Sequence, residues 1–170
     1  RNFDYNAFWA RVTDGNELVG AYAYATDRSD EKQQQFQNIL RAIGFTVLLK
    51  PMVKRADGST KADWDVGIAL DVYESASQCD KVVLLSGDGD FAILLERIRE
   101  RFKTRSEGYS VFPLTAAALI TAASSYVPVE KGLLLYPSRL SAVYSRLMTR
   151  RCQCAVYAHR IRAGFRHSHS

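Results

Sequence analysis

The chain has 170 residues, 47% of them hydrophobic, which predicts a single domain with a hydrophobic core. No apolar run approaches the roughly 20 residues of a membrane span and no secretory signal is recognisable, so we expect a cytoplasmic protein without membrane contact. The net charge of +5 is unevenly distributed, because residues 136–170 contain seven Arg and no acidic residue. Three cysteines (Cys79, Cys152 and Cys154) form no disulfide framework, which fits a reducing compartment.

The first third of the chain alternates helical and strand-like patterns. Apolar residues at helical spacing predict a short helix that ends near Asp14 and a longer one over residues 31–43, which Gly44 terminates. Strands are predicted over residues 18–25 and 45–49, where β-branched and aromatic residues are frequent.

The same alternation continues after a polar connection over residues 50–62. A helix is predicted to run from residue 63 to about residue 76. Its inner face is predicted to consist of Val66, Ala69, Leu70 and Tyr73. Downstream we expect a short strand over residues 110–112, a helix capped by Thr115, and an edge strand over residues 127–129. Helices alternating with apolar strands predict an α/β domain whose mostly parallel sheet is covered on both faces.

The most informative segment lies between these elements, at Val82–Phe91. Four consecutive apolar residues predict a buried strand, a Gly-rich turn follows, and a helical pattern begins at Phe91. Asp88 and Asp90 therefore lie at the carboxyl edge of the sheet, where open α/β folds bind ligands. Neighbouring carboxylates repel each other unless a proton or cation lies between them, and hard divalent cations prefer such oxygen ligands. In the alternative interpretation, Asp90 caps the helix and Asp88 stabilises the turn.

A third carboxylate, that of Asp65, begins the preceding helix and is expected at the same edge. An acidic residue in a first helical turn is also favoured by the helix dipole alone. Asp71 lies about 120° from Asp65 around this helix and is not expected to share one tight site with it. One or two Mg²⁺ or Mn²⁺ ions held by Asp65, Asp88 and Asp90 would suit hydrolysis of a phosphodiester, because they activate water and offset phosphate charge.

Cationic side chains near this edge are candidates for phosphate contacts. Arg97 and Arg101 fall within about 20° of Asp90 around the helix that follows it, and Lys61 precedes the Asp65 helix. The alternative for each is an ordinary solvated surface, with ion pairs along the helix.

Residues 136–170 differ in character from the rest of the chain. Their Arg-rich composition is typical of nonspecific binding to nucleic acid or lipid, but equally of a disordered or non-native extension. We expect a domain over residues 1–135 and a basic, disordered or poorly packed tail over residues 136–170. Cys152 and Cys154 with the nearby histidines match no zinc-binding pattern.

The segments Lys61–Asp71 and Leu85–Phe91 resemble the NYN domains of the LabA-like group, within the PIN-like nuclease superfamily. The similarity covers about residues 4–135, and its most specific parts are Asp63-Trp64-Asp65-Val66 and Ser86-Gly87-Asp88-Gly89-Asp90-Phe91. The resemblance implies a three-layer α/β/α domain and metal-dependent ribonuclease chemistry. By position, Asp65, Asp88 and Asp90 match acidic metal-site residues of that family, and Asp71 matches a recurrent acidic position.

The chain departs from the family pattern at its start. The resemblance implies a first, central strand that ends in Asp-Gly-x-Asn and supplies another metal-ligand Asp, yet nothing before Asp4 fits it. We therefore expect a domain that lacks its first strand. Its neighbours in the sheet, at residues 18–25 and 82–85, would then have unpaired backbone edges.

Three functional hypotheses follow. The first is a Mg²⁺- or Mn²⁺-dependent endoribonuclease, inactive if the truncation is real, which acts on single-stranded RNA and is expected to form a homodimer. The second is a noncatalytic RNA-binding or regulatory module with the same fold, which the absent strand motif favours. The third, a phosphohydrolase of small esters, lacks an evident nucleophile or cap element.

Overall fold

A computed structural model describes residues 2–27, 30–58, 60–61, 63–135 and 152–160, and every structural statement below refers to these residues. The five helices of this part are α1 (Tyr5–Thr13), α2 (Glu31–Ile43), α3 (Asp65–Ala76), α4 (Ala92–Phe102) and α5 (Ala117–Ala122). The strands are β1 (Asn2–Phe3), β2 (Asn16–Asp27), β3 (Thr46–Pro51), β4 (Val53–Lys54), β5 (Thr60–Lys61), β6 (Lys81–Leu85), β7 (Arg105–Ser110), β8 (Ser125–Pro128), β9 (Leu134–Leu135) and β10 (Cys152–Arg160).

Local sequence signals account for the ends of the first two helices. Asp4 caps α1 by accepting a hydrogen bond from the backbone N–H of Ala7 at 3.0 Å, and Asp30 caps α2 in the same way. Gly44 ends α2 with φ at +134°, and a Cβ there would lie 2.5 Å from the Trp9 ring. Only glycine fits this turn without strain or collision.

The central sheet has six strands in the order β3-β2-β10-β6-β7-β8. The pairs β2–β3, β6–β7 and β7–β8 are parallel, whereas β10 is antiparallel to both β2 and β6. Five of the six strands therefore run in one direction, and their carboxyl ends lie at the same edge. The predicted α/β class with a mostly parallel sheet is confirmed.

Helices cover both faces of this sheet. One core contains α1 and α2 side chains, such as Phe8 and Leu40, packed with Val83 of β6. The other contains Ile68 of α3 and Ile98 of α4 and lies on the opposite face. Successive residues of the strands alternate between the two cores, because side chains of a strand point to alternate faces. The layers are thus α/β/α, and burial of both sheet faces is the main source of stability.

The prediction for the C-terminal region was wrong, because part of that region forms the strand β10 in the middle of the sheet. Residues 152–160, expected within a disordered or poorly packed tail, form a strand between β2 and β6 and occupy the place in which the resemblance implied a first strand. Cys154, Val156 and Ala158 are fully buried. The predicted unpaired edges of β2 and β6 are also wrong, because β10 pairs with both. The folded domain therefore includes residues 152–160; the rest of the predicted tail lies outside the described residues.

Three local predictions were also wrong. The helix α3 buries Ile68 and Val72, while Val66 and Leu70 are exposed, because its sequence is apolar on two faces and periodicity could not choose between them. The strand expected at residues 110–112 lies earlier, at Arg105–Ser110, where polar residues conceal it. Thr115 does not cap α5; its hydroxyl donates to the carbonyl of Val111.

None of the helices in the described ranges combines the length and the hydropathy needed to cross a bilayer.

Candidate metal centre

The loop after β6 presents two acidic side chains at the carboxyl edge of the sheet. Asp88 caps a short 3-10 turn (Gly89–Phe91) that leads directly into α4, and its Oδ1 accepts the backbone N–H of Asp90 at 3.0 Å. The Asp88 N–H in turn donates to Ser86 Oγ at 3.2 Å. The turn-stabilising role proposed as the alternative is thus present for Asp88, but the capping residue is Asp88 and not Asp90.

Two glycines allow the loop to pack closely against the segment before α5. A Cβ on Gly87 would lie 2.9 Å from the carbonyl oxygen of Leu114, and one on Gly89 would lie 2.8 Å from the Cβ of Ala116. The Ala116 N–H also donates to the carbonyl of Gly87 at 3.1 Å. These contacts hold the loop against its neighbour and fix where its carboxylates point.

Asp65 meets this loop from the first turn of α3. Each of Asp65, Asp88 and Asp90 offers a carboxylate oxygen, and these atoms lie within 4.8 Å of one another. Asp65 is half-buried and Asp90 is exposed. The structure thus brings together all three residues predicted to form the metal site, and we call them the acidic triad.

The electrostatics of the triad favour a cation. Burial raises the pKa of Asp65, and the charges of Asp88, Asp63 and Asp90 raise it further. The ion pairs Lys81–Glu107 and His159–Asp80 involve no member of the triad. Clustered carboxylate oxygens are the donor set that Mg²⁺ or Mn²⁺ accepts, so the residues fit such an ion.

Asp71 lies outside the triad and has a structural partner. Its Oδ2 accepts a hydrogen bond from the hydroxyl of buried Tyr24 at 3.0 Å. Its position one and two-thirds turns after Asp65 explains this separation, since the two side chains leave α3 in different directions. Asp71 anchors α3 to β2.

The structure does not test the predicted phosphate contacts of the cationic residues. Arg97 and Arg101 are exposed on α4. Lys61 belongs to β5, and its side chain lies outside the described part of the chain. No contact of these residues with the triad is part of the described structure, so their role in binding phosphate stays a prediction.

Two further residues lie at the site and were not selected from the sequence. Lys50 lies near the end of β3. Its Nζ donates to the carbonyl of Asp63 at 2.8 Å and lies 5.5 Å from the centre of the Trp64 ring. Gln153 of β10 lies beside Asp65 and lowers the pKa of its carboxyl group. Lys50 could have been identified as a basic residue at the end of a predicted strand. No sequence feature pointed to Gln153, because its strand was not predicted.

Comparison with known proteins agrees with this fold. The NYN domain family matches residues 1–131. The chain is 32% identical over 120 residues to the low amplitude and bright protein LabA of Synechococcus elongatus, a match that covers 67% of this chain and 64%, just under two thirds, of that protein.

A solved structure shows the same architecture. It is the crystal structure of a protein of unknown function from Vibrio parahaemolyticus, 50% identical, with a TM-score of 0.75 over 79% of this chain and 83% of that one. The family match extends from the first residue through the triad to the end of the sheet's parallel part. The chain therefore belongs to the NYN domain family, in agreement with its predicted resemblance to LabA-like, PIN-like nuclease domains.

Proposed function

We propose that this protein hydrolyses phosphodiester bonds of RNA with Mg²⁺ or Mn²⁺ as its cofactor. The observation that carries the proposal is the convergence of three carboxylates from two separate segments within 4.8 Å, in a chain of the NYN family. A structural role alone does not require this arrangement, because the three negative charges raise the free energy of the folded state.

Each member of the acidic triad belongs to a defined element. Asp65 lies in the first turn of α3, Asp88 caps the 3-10 turn, and Asp90 lies within that turn. A divalent ion held there supplies an activated water and offsets the negative charge that develops on the phosphate. The protein's own part is to hold the three carboxylates close together.

Single-stranded RNA is the partner that we propose. The Lys50 ammonium group contacts the Asp63 carbonyl and the Trp64 ring, in the segment that leads into Asp65, and we propose that it offsets the charge of a phosphate. We also propose phosphate contacts for Lys61, Arg97 and Arg101, of which the two arginines are exposed on α4. These cations compensate for an otherwise acidic site.

A noncatalytic RNA-binding module is the second candidate. The position in which the resemblance implied a further ligand Asp is filled by β10, and the side chain it brings to the triad is the neutral amide of Gln153. A site with one carboxylate fewer binds a divalent ion less tightly and supports less catalysis.

Cleavage of a labelled single-stranded RNA by the purified full chain tests the proposal. We expect product in MnCl₂ or MgCl₂, none in EDTA, and at least a hundredfold loss of rate in Asp88→Asn. Asp80→Asn is the matched control, because Asp80 lies at the opposite end of β6 and outside the triad. It should cleave like the wild type.

The outcomes separate the candidate functions. Unchanged cleavage in Asp88→Asn would show that the acidic triad is not the active site. Salt-dependent RNA binding without metal-dependent product would select the noncatalytic module. Turnover of a phosphomonoester, with none of RNA, would select the phosphohydrolase. A cytoplasmic location and a homodimer stay predictions.

A further inference from the structure

The antiparallel strand β10 brings its first residues to the edge of the sheet that carries the acidic triad. Gln153 pairs in register with Tyr24 near the carboxyl end of β2, and Cys154 pairs with Leu85, the last residue of β6. Because side chains alternate along a strand, Gln153 shares a face with Ala155 and Tyr157, which pack in the core formed by α3 and α4. Gln153 therefore lies beside the start of α3.

The amide of Gln153 contacts both segments that carry the triad. Its Nε2 lies 3.3 Å from Ser86 Oγ and donates to it. Its amide also interacts with the Asp65 side chain and lowers the pKa of that carboxyl group, against the raising effects of burial and neighbouring charges. Ser86 is buried and accepts the N–H of Asp88 through the same oxygen. Hydrogen bonds thus join Gln153, Ser86 and Asp88, and the Gln153 amide lies beside Asp65.

We propose that Gln153 is a positioning residue of the metal centre, which aligns the Asp65 carboxylate with the loop that carries Asp88 and Asp90. This inference rests on the proposed function, because it assumes that the triad binds a divalent ion. A primary amide suits the role, since one nitrogen carries two hydrogens and can donate to both acceptors at once. A neutral donor also holds the carboxylate without competing with the ion for charge.

The proposal assigns a functional role to a strand outside the sequence match to the family, which ends at residue 131. Metal binding then depends on two parts of the chain that are far apart in sequence. The parallel strands supply the ligands, and β10 supplies the residue that aligns them.

Titration calorimetry of the full chain with MnCl₂ tests the inference without relying on RNA cleavage. Gln153→Met keeps the length of the side chain and removes its donors, so we expect Mn²⁺ to bind roughly tenfold more weakly, as is typical when a ligand loses a hydrogen-bonding support. Gln35→Met, on the exposed face of α2, is the matched control and should bind like the wild type. Asp88→Asn should abolish binding.

The results distinguish this inference from the proposed function. Wild-type affinity in Gln153→Met, with binding lost in Asp88→Asn, would overturn the positioning role alone. No Mn²⁺ binding by the wild type would overturn both.

If Gln153→Met does not fold, Gln153→Asn replaces it. Its amide is one methylene shorter and cannot span Asp65 and Ser86, so we expect a smaller rise of Tm on addition of Mn²⁺ than in the wild type. An unchanged rise would overturn the positioning role.

Discussion

Two adjacent strands, β6 and β10, both run through the hydrophobic core and are hydrogen-bonded to each other, yet only β6 is recognisable in the sequence. Val83 of β6 pairs in register with Val156 of β10, and both side chains are fully buried. The apolar run of β6 ends at a Gly-rich turn and a helix start, so its surroundings identify it. The run Cys154–Ala158 is as apolar, but Arg-rich sequence surrounds it and no turn signal marks it.

The difference shows that a segment can form a strand because neighbouring strands need a hydrogen-bonding partner, even when its own sequence pattern does not predict one. Without β10, the facing edges of β2 and β6 would leave buried N–H and C=O groups unpaired, at a cost of about 1–3 kcal/mol for each group. An apolar segment of sufficient length that reaches this gap is strongly favoured there. A strand in this gap can satisfy the backbone groups of β2 and β6 when it runs antiparallel to both, as β10 does.

Deletion of residues 136–170 should produce the largest effect on this pair of strands. We expect loss of the cooperative unfolding transition, because β2 and β6 lose their common partner and two cores lose β10 side chains. Thermal unfolding followed by circular dichroism measures it. Deletion of residues 161–170 alone, which keeps β10, should retain the transition. A native-like Tm in the longer deletion would show that β10 is dispensable.

Truncation of the paired valines compares the two strands directly. Val83→Ala and Val156→Ala should each lower the free energy of unfolding by about 2 kcal/mol, because both remove buried methyl groups from the same core. Urea denaturation gives both values under identical conditions. Val19→Ala, at an exposed position of β2, should change stability little. A cost confined to Val83 would contradict the shared burial of the two strands.

Substitution of Gly87 tests the closely packed turn that follows β6 and that made this strand recognisable in the sequence. In Gly87→Ala the new Cβ would meet the Leu114 carbonyl at 2.9 Å, so we expect a loss of about 1–2 kcal/mol and weaker Mn²⁺ binding. Gly132→Ala is the control, because no atom lies within 4 Å of its added Cβ. Equal stability of the two variants in urea would contradict this packing.

The smallest effect, of opposite sign, is expected for Asp65→Asn without divalent ions. Because the pKa of Asp65 is raised in the folded state, its ionised form destabilises the fold at neutral pH, and stability is regained as the pH falls toward its ordinary pKa of 3.8. The variant should therefore have a higher Tm than the wild type at pH 7 in EDTA, and the difference should shrink toward pH 4. Differential scanning calorimetry measures both.

Addition of Mn²⁺ should reverse that order at pH 7, because the ion stabilises only the intact triad. A variant that stays more stable than the wild type in saturating Mn²⁺ would contradict metal binding by Asp65.

Sequence patterns predicted most of the parallel sheet and all three members of the acidic triad. Asp88 and Asp90 were identified because they lie in a glycine-rich turn after a predicted strand, and Asp65 was identified because it lies at a predicted helix start. Periodicity failed where a helix was apolar on two sides, as in α3, and where a strand was polar, as in β7. Each failure has the same cause: the pattern describes one element and not the surface that it packs against.

The sequence by itself determined the α/β class, the carboxylates and the edge at which they meet, because these depend on short-range periodicity and on the rule that parallel strands end together. Only the tertiary structure decided that residues 152–160 complete the sheet and bring Gln153 to Asp65. The reason is that pairing across a gap between β2 and β6 satisfies backbone hydrogen bonds that no local pattern records.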